Sequence, residues 1–268
     1  MIGGAGLFFR ALRTAVRSGR GAIDDAARDY VAPAIEPRHL RAFASSFAFA
    51  ADGKVPLGYL FLLAQRAQVA TMLAPGFPQP LPGLVHVANE VRQWAALDPG
   101  AALQLTCRAG SEGEPGAIRI TLQVELGQHG AAFAETRSTY LARRRHGPRG
   151  PRPEAPAGIE APIARYPLAI AAGRDYARLS GDINPIHLWP WSARLFGFRR
   201  PIIHGMHTVS SVEAAIARVE GRGLAHIAAD FRRPIALPAE VVVHARAGRF
   251  QACVGGAVCV DGSYAHSA

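Results

Sequence analysis

Two stretches of the chain alternate between apolar and polar residues in the same way, 140 positions apart. The first reads LVHVANEVRQWAALDPGAALQL at 84–105, and the second reads LAHIAADFRRPIALPAEVVVHA at 224–245. At this fixed offset Leu84 matches Leu224, and a histidine and an arginine match as well. Alternation with a central proline turn predicts a pair of joined β-strands in each stretch. Agreement in register over some twenty residues indicates an internal repeat.

A long helical pattern precedes each of these stretches. The segment 58–73 is apolar nearly all round, which predicts a deeply buried helix. The segment 204–221 has a single apolar stripe, formed by Met206, Val209, Val212, Ile216 and Val219. Further strands are predicted downstream at 117–126, 132–141 and 250–260. Each half therefore predicts an antiparallel sheet around a long helix, with a strand and a short helix before it, which is an α+β arrangement.

A segment rich in Arg, Pro and Gly separates the two halves. It reads LARRRHGPRGPRPEAPAGIEAP at 141–162, and its prolines and glycines exclude a helix or a central strand. We predict four regions: a basic N-terminal segment at 1–27, a first repeat at 28–142, a linker at 143–158 and a second repeat at 159–268.

Composition limits the class of protein. Hydrophobic residues make up 49% of the chain, which allows a well-buried core. The net charge of +10 comes almost entirely from arginines and has two interpretations: a compositional bias, or an anionic ligand that carries phosphates. No nucleic-acid-binding motif is present, and no apolar run reaches the ~20 residues that span a bilayer. Three cysteines without metal-ligand spacing predict buried thiols in a reducing, cytoplasmic protein.

The first twenty residues are basic, with four arginines and no acidic residue. Phe8, Leu12 and Val16 fall on one face of a helix. This pattern is typical of an interfacial helix or a transit peptide. The alternative is a short helix that packs on its own domain, or a frayed end.

The stretch SGDINPIHLWPWSA at 180–193 carries the clearest chemistry. Asp182 and His187 are five residues apart, a spacing that puts them on different faces of either a helix or a strand. Asn184 and Pro185 lie between them and predict a turn, on which the two side chains can converge. A carboxylate and an imidazole together can hold and activate one water at neutral pH.

Other interpretations of this pair stay open. Asp182 alone is typical of an Asx-turn or a helix cap, and His187 alone is typical of a buried histidine with a hydrogen-bond partner. A metal site is compatible with the pair, but no third ligand occurs at a persuasive spacing, so no metal is predicted. No serine or cysteine lies in a nucleophile motif, which favours proton transfer over covalent catalysis.

Gly205, in PIIHGMH at 201–207, lies near the start of the second long helix. Free N–H groups and the positive end of the helix dipole lie there, and glycine lets a ligand oxygen approach closely. This arrangement suits a carbonyl oxygen that gains negative charge. The alternative is a glycine needed only for close packing of the helix.

The motif Y-x3-S-G-D-x-N-P-x-H, from Tyr176 to His187, and the following PIIHGM at 201–206 resemble the MaoC-like branch of the hotdog superfamily. That branch includes (R)-specific enoyl-CoA hydratases and hydroxyacyl-thioester dehydratases. The fold-level likeness extends over 159–268. The first half resembles the degenerate repeat of double-hotdog members and lacks D-x-N-P-x-H. The resemblance therefore implies a double hotdog whose second half is catalytic.

By position, the resemblance implies that Asp182 and His187 activate water and that the Gly205 N–H polarises the thioester carbonyl. Asn184 then ties the loop together. The implied reaction is the reversible hydration of trans-2-enoyl thioesters, or dehydration of (R)-3-hydroxyacyl thioesters, without a cofactor. The implied substrate is bound to CoA or to an acyl carrier protein. Hotdog units typically pair, which gives the degenerate first half a role as the partner of the second, and we also expect a homodimer.

Two rival functions remain. A hotdog thioesterase would hydrolyse the thioester, and a non-catalytic subunit would only bind acyl thioesters or assist assembly. The helix at 58–73 is expected to line part of an acyl tunnel. The candidate partners for CoA phosphates are four arginines of the second half: Arg199, Arg200, Arg232 and Arg233. The alternative for each of them is a solvated surface residue.

Overall fold

A computed structural model describes residues 13–17, 23–50, 54–113, 117–143 and 162–266. The described residues form two compact units. One lies within 1–37 and 59–151, and the other within 38–58 and 152–268. Residues 38–58 thus group with the second unit, whereas the sequence places them in the first repeat, predicted at 28–142. Most of the predicted linker, from 144 onward, lies outside the described residues.

The first unit contains a five-stranded antiparallel sheet. Its strands are β1 (Arg28–Ala32), β2 (Leu84–Gln93), β3 (Leu103–Glu112), β4 (Ala117–Gln128) and β5 (Ala131–Arg143). They lie in the order β1-β3-β4-β5-β2. Along β3, buried residues alternate with exposed ones, as expected for a sheet with one face toward a core.

The second unit contains a sheet with the same topology. Its strands are β6 (Pro162–Leu168), β7 (Leu224–Phe231), β8 (Ala239–Arg246), β9 (Arg249–Val254) and β10 (Ala257–His266). They lie in the order β6-β8-β9-β10-β7, strand for strand the order of the first unit. The internal repeat predicted from the sequence is therefore present in the fold.

Each repeat has its long helix at the same place in the chain. Helix α1 (Pro37–Phe47) and helix α2 (Leu57–Leu73) lie between β1 and β2. Helices α3 (Ala172–Ser180), α4 (Pro190–Leu195) and α5 (Gly205–Glu220) lie between β6 and β7. Helix α2 is buried nearly all round, as predicted. The predicted stripe of α5 is buried except for Val219, which is exposed at the end of the helix.

One prediction about the strands is wrong. The stretches 84–105 and 224–245 do form strands, but the two strands within each stretch are not hydrogen-bonded neighbours. Instead β3 pairs with β1 and β4, and β8 pairs with β6 and β9. The proline turns thus connect strands that are distant in their sheets, because sheet order is set by the whole fold rather than by the local turn.

Helix α1 packs within the second unit, although it precedes α2 in the chain. The ring of Phe47 lies 5.1 Å from the ring of His207 and 6.1 Å from that of Tyr176. His39 Nε2 is 2.8 Å from the carbonyl oxygen of Leu179, at the end of α3. These contacts explain why residues 38–58 belong to this unit.

A buried carboxylate on α5 caps the first turn of α2. The two oxygens of Glu213 accept hydrogen bonds from the backbone N–H groups of Leu57 at 2.7 Å and Gly58 at 2.9 Å. Burial raises the pKa of Glu213 to about 7, and these two hydrogen bonds oppose the shift. A Cβ on Gly58 would lie 2.2 Å from Ser210 Oγ, so a larger residue at this position would force Ser210 to move.

Of the basic N-terminal segment, only 13–17 and residues from 23 are described. Arg17 donates hydrogen bonds to the carbonyl oxygens of Met72, Leu73 and Ala74, at the end of α2. A cation at this position interacts favourably with the negative end of the helix dipole. Residues 13–17 therefore pack against the end of α2, as in the alternative of a segment that packs on its own domain. The rest of the first twenty residues lies outside the described chain.

The three cysteines are free and buried. In the part of the chain that the structure describes, no helix is both long and apolar enough to cross a membrane.

Candidate active site

The stretch that follows α3 forms a compact loop, residues 181–188, here called the Asp–His loop. Helix α3 ends because Gly181 adopts the left-handed conformation, with φ of 77°, and its N–H donates to the carbonyl of Ala177 at 2.9 Å. The Ser180 hydroxyl then accepts the Asp182 N–H at 3.1 Å and donates to the Tyr176 carbonyl at 2.8 Å. These bonds fix the chain direction at Asp182.

Asn184 and Pro185 shape the turn between the two candidate residues. The Asn184 N–H donates to Oδ1 of Asp182 at 3.1 Å, and the Asn184 side chain accepts the N–H of Ile186 at 3.4 Å. Pro185 begins a single 3₁₀ turn, Pro185–His187. Asp182 therefore does form an Asx-turn, the alternative weighed above, and one carboxylate oxygen serves this turn.

His187 is buried and held in one orientation. Its Nδ1 lies 2.8 Å from the carbonyl oxygen of Ile202. A carbonyl oxygen can only accept, so the proton sits on Nδ1 and Nε2 keeps its lone pair. Helix α3 packs very closely against this residue. A Cβ added to Gly173, in the first turn of α3, would lie only 2.1 Å from the His187 carbonyl oxygen.

The structure brings Asp182 and His187 together and adds a third side chain, His204. One polar side-chain atom from each of the three lies within 4.8 Å of the other two. The rings of His187 and His204 are stacked, with centroids 3.7 Å apart and planes inclined by 27°. His204 Nε2 is 3.0 Å from the Asp182 carbonyl oxygen, so Nε2 is the protonated nitrogen.

Sequence reasoning missed His204, Tyr176 and Gly173. The available signal for His204 was its place directly before Gly205. The other ring nitrogen of His204, Nδ1, is buried and has no hydrogen-bond partner among the described residues. The hydroxyl of Tyr176 is also buried without a hydrogen-bond partner among the described residues. The Tyr176 ring lies 4.9 Å from the His204 ring. Most buried polar atoms are hydrogen-bonded, so two unpaired ones beside the Asp–His loop leave room for a ligand or water to bind them.

Burial keeps these histidines neutral. It lowers the pKa of His187, while the nearby Asp182 carboxylate and the bond to Ile202 oppose that shift. Burial lowers the pKa of His204 well below its ordinary value, and the adjacent His187 lowers it further. At neutral pH, His187 Nε2 is therefore a proton acceptor beside an anion.

Gly205 is the first residue of α5, and its N–H has no acceptor within the helix. A Cβ at this position would lie 2.6 Å from a ring atom of Phe231. Close packing thus explains the glycine, and its N–H, in the first turn of the helix, is available to donate to a ligand oxygen. The two interpretations are compatible at this position.

The three clustered side chains are also ligand types for a metal ion. A metal bound to imidazole lies in the ring plane about 2.1 Å from nitrogen. The ring centroids of His187 and His204 are 3.7 Å apart and their planes are inclined by 27°. The two ring planes therefore do not intersect at a point about 2.1 Å from a nitrogen of each ring. This geometry favours hydrogen bonding over joint coordination of one ion.

The candidate phosphate ligands differ in availability. Arg232 is bound to the carboxylates of Asp261 and Asp230, which makes it a structural ion pair. Its match in the repeat, Arg92, pairs in the same way with Glu90. Arg199, Arg200 and Arg233 are exposed.

In the first unit, His86 stacks between Phe61 and Tyr140, as an aromatic packing residue.

Comparison with known proteins points the same way as the geometry. The model of the MaoC like domain family matches residues 155–264. The 3-hydroxyacyl-thioester dehydratase X of Mycobacterium tuberculosis is 29% identical over 222 residues, covering 80% of this chain and 78% of that protein. The 3-hydroxyacyl-thioester dehydratase Y of the same organism is 33% identical over 168 residues, or 57% of this chain and 58% of that protein.

A solved structure shares the fold. The crystal structure of HtdX from Mycobacterium tuberculosis superposes with a TM-score of 0.74 at 23% identity, covering 89% of this chain and 100% of that one. The two matching sheets, each with its long helix, correspond to the predicted double hotdog. The described chain therefore has a double-hotdog fold, and residues 155–264 within it match the MaoC like domain.

Proposed function

We propose that this protein is a hydro-lyase. It adds water to trans-2-enoyl thioesters and, in the reverse direction, dehydrates (R)-3-hydroxyacyl thioesters. The observation that carries the proposal is the convergence of the Asp182 and His187 side chains within 4.8 Å, in one cluster with the residue that precedes Gly205. The two relatives named 3-hydroxyacyl-thioester dehydratase support this reaction class.

In hydration, a water molecule sits between the Asp182 carboxylate and His187 Nε2. The carboxylate accepts a hydrogen bond from the water and orients its oxygen toward Cβ. Nε2 takes a proton as the oxygen–Cβ bond forms and the double bond shifts toward the thioester. The imidazolium then returns that proton to Cα, so one water is added in total. Positioned acid–base groups typically contribute ~10²–10⁴-fold.

The thioester oxygen gains negative charge between these two proton transfers. The N–H of Gly205, at the positive end of α5, is the proposed donor to this oxygen. A single such donor contributes roughly 10²–10³-fold. Dehydration follows the same path backward: Cα loses its proton, and the 3-hydroxyl leaves as water after it is protonated. No group outside the chain is needed for either direction.

The finer properties belong to the same proposal. The acyl group is carried by CoA or by an acyl carrier protein, the helix at 58–73 lines part of an acyl tunnel, and the protein is a cytoplasmic homodimer. Each is an expectation from the sequence. Gel filtration with light scattering tests the dimer, and a fluorescent fusion in the source cell tests the location.

The activity is tested by incubating the full chain with crotonyl-CoA. Loss of the enoyl absorbance without release of free thiol is the expected result. Release of thiol would instead indicate a thioesterase. If neither signal changes with enoyl-CoAs or with an enoyl group on an acyl carrier protein, the hydro-lyase proposal is wrong.

We predict that Asp182→Asn and His187→Ala each lower kcat by at least about 10²-fold, because each removes one partner of the bound water. Steady-state hydration of crotonyl-CoA measures the loss. The control is His86→Ala, which lies in the first unit and is expected to keep its kcat. Near wild-type rates for both site variants, with folding checked by circular dichroism, would contradict the assignment.

A further inference from the structure

The segment that follows the Asp–His loop carries an exposed group of large apolar side chains. We call Trp189, Trp191, Leu195 and Phe196 the aromatic patch. Trp191 and Leu195 are 65% and 75% exposed, and they are four residues apart on α4, so they share one face of that helix. Exposed apolar groups of this kind mark interaction surfaces, and tryptophan is enriched at binding hot spots.

The aromatic patch is a built surface rather than a loose end. The Ser192 hydroxyl donates to the Pro185 carbonyl at 2.7 Å and accepts the N–H of Trp189 at 3.2 Å. Arg174 reaches over from α3, with its guanidinium 4.1 Å from the Trp189 ring centroid. Helix α4 is therefore fixed to the loop that holds Asp182 and His187.

Basic residues lie close to the aromatic patch in the chain, one of them on α4 itself. Arg194, Arg199 and Arg200 are exposed and form no ion pair with any residue that the structure describes. The sequence has no aspartate or glutamate between Asp182 and Glu213. Three arginines without local counter-ions attract an anionic partner over about a Debye length, roughly 8–10 Å in ordinary buffers.

We infer that the aromatic patch and its arginines form the docking surface for an acidic acyl carrier protein, which delivers the acyl thioester to the Asp–His loop. This inference rests on the proposed function. A partner seated here is held beside Asp182 and His187, as a carrier must be if its thioester arm is to reach them. A CoA thioester has no protein surface that would need an apolar seat of this size.

The alternative occupant, a lipid surface, fits less well. Interfacial helices commonly run for 20–30 residues, whereas α4 has 6. Three arginines near an anionic membrane contribute only about 1 kcal/mol each. The carrier explains both the charge and the position next to the loop.

The test compares one acyl group on two carriers. Crotonyl-CoA and a crotonyl group on an acidic acyl carrier protein are hydrated by the wild type and by Trp191→Ala, Leu195→Ala and Arg194→Glu. We expect each variant to lower kcat/KM for the carrier-bound substrate by at least about 10-fold, as hot-spot residues do. Because these side chains lie outside the catalytic cluster, kcat/KM for crotonyl-CoA stays within about 2-fold and reports intact folding.

The matched controls are Trp94→Ala and Arg246→Glu, which change an exposed tryptophan and an exposed arginine elsewhere. They are expected to leave both substrates unaffected. The inference is overturned if the wild type hydrates crotonyl-CoA but not the carrier-bound group, or if the α4 variants affect both substrates equally or neither. An enzyme inactive on both substrates refutes the hydro-lyase proposal itself.

Two further results would assign the surface to another occupant and overturn the inference. One is that Trp191→Ala abolishes co-sedimentation with phosphatidylglycerol vesicles while carrier kinetics stay unchanged. The other is that Leu195→Ala converts a wild-type dimer to a monomer with unchanged carrier kinetics.

Discussion

The two ring nitrogens of His187 have different surroundings, so one positions the ring and the other is available to accept a proton. Nδ1 is committed to the Ile202 carbonyl, which fixes both the ring orientation and the tautomer. Nε2 is left as the acceptor. His204 reinforces the arrangement from the other side, because its ring covers His187 and its Nε2–H holds the Asp182 backbone. His204 therefore acts as a positioning residue for both members of the pair.

We predict that His204→Phe lowers kcat for crotonyl-CoA by about 10–10²-fold, because it keeps a ring over His187 but loses the bond to the Asp182 carbonyl. His204→Gln retains an N–H donor at a similar reach and is expected to recover much of this loss. Binding is not changed directly, so KM stays close to the wild-type value in both variants. Equal losses for Phe and Gln would refute the role of the hydrogen bond.

At this scale, sequence reasoning identified residues that lie close together in the chain. Asp182 and His187 stand in one short loop, and a proline turn is enough to suggest that they meet. His204 lies 22 residues after Asp182, and only the docking of the chain ahead of α5 brings them together. A lone histidine carries no local signal for such a contact.

At the scale of elements, the site depends on how closely α3 approaches the Asp–His loop. Gly173 allows that approach, since any side chain would meet the His187 backbone oxygen at 2.1 Å. A backbone atom cannot rotate away as a side chain can. The first turn of α3 thus sets how closely the helix approaches the backbone of His187.

We predict that Gly173→Ala lowers kcat by about 10²-fold, because a displacement of about 1 Å in a catalytic group has an effect of that size. It should also destabilise the protein by roughly 1–3 kcal/mol, as for other overpacked sites. Crotonyl-CoA kinetics and urea unfolding measure the two effects. The matched control is Gly110→Ala, where a Cβ has no neighbour within 4 Å; similar losses in both variants would contradict the explanation.

Helices and strands were predicted well where the apolar pattern is strong. The helix predicted at 58–73 is Leu57–Leu73, and the strand predicted at 117–126 is Ala117–Gln128. Strand neighbours were not predictable in the same way. Proline turns at the end of β2 and β7 suggested hairpins, but pairing depends on long-range order, which local patterns do not contain.

At the scale of the whole molecule, the same fold occurs twice, but the Asp–His loop occurs only in the second repeat of the described chain. The second repeat places α3, the Asp–His loop and α4 ahead of its long helix. The first repeat places α1 at the matching point, yet α1 packs in the second unit against Tyr176 and His207. The repeat without the motif therefore supplies part of the packing around the site.

We predict that residues 159–268 alone do not form the native second unit. That fragment lacks α1, and with it the buried rings of Phe43 and Phe47. Removing a buried phenylalanine side chain typically costs 3–5 kcal/mol, which is comparable to the stability of a small domain. A cooperative thermal transition together with crotonyl-CoA hydration by the fragment would show that α1 is dispensable.

Stability should also depend on pH through the buried histidines. Burial lowers the pKa of His207 to about 4, and it lowers the pKa of His187 and His204 as well. These groups have lower pKa values folded than unfolded, so their stabilising effect is present above about pH 6.5 and is lost as the pH falls toward 4. Glu213 acts in the opposite sense, because its folded pKa is raised.

For His207 alone, the loss between pH 6.5 and 4 amounts to as much as about 3 kcal/mol. We predict that His207→Phe reduces the fall of the urea midpoint between pH 7.5 and 5, since the neighbours of this ring are aromatic and the new side chain does not titrate. Urea titrations at the two pH values measure the difference. An unchanged dependence on pH would rule out His207 as its source.

Because the imidazole rings of His187 and His204 are stacked, the two rings together can bind only a limited number of extra protons. Two positive charges 3.7 Å apart repel by about 4 kcal/mol at an effective dielectric constant near 20, which disfavours double protonation by roughly three orders of magnitude. The stack therefore carries one mobile proton at a time. In either direction, the proton that His187 takes up must therefore pass to the substrate before the two rings can accept another.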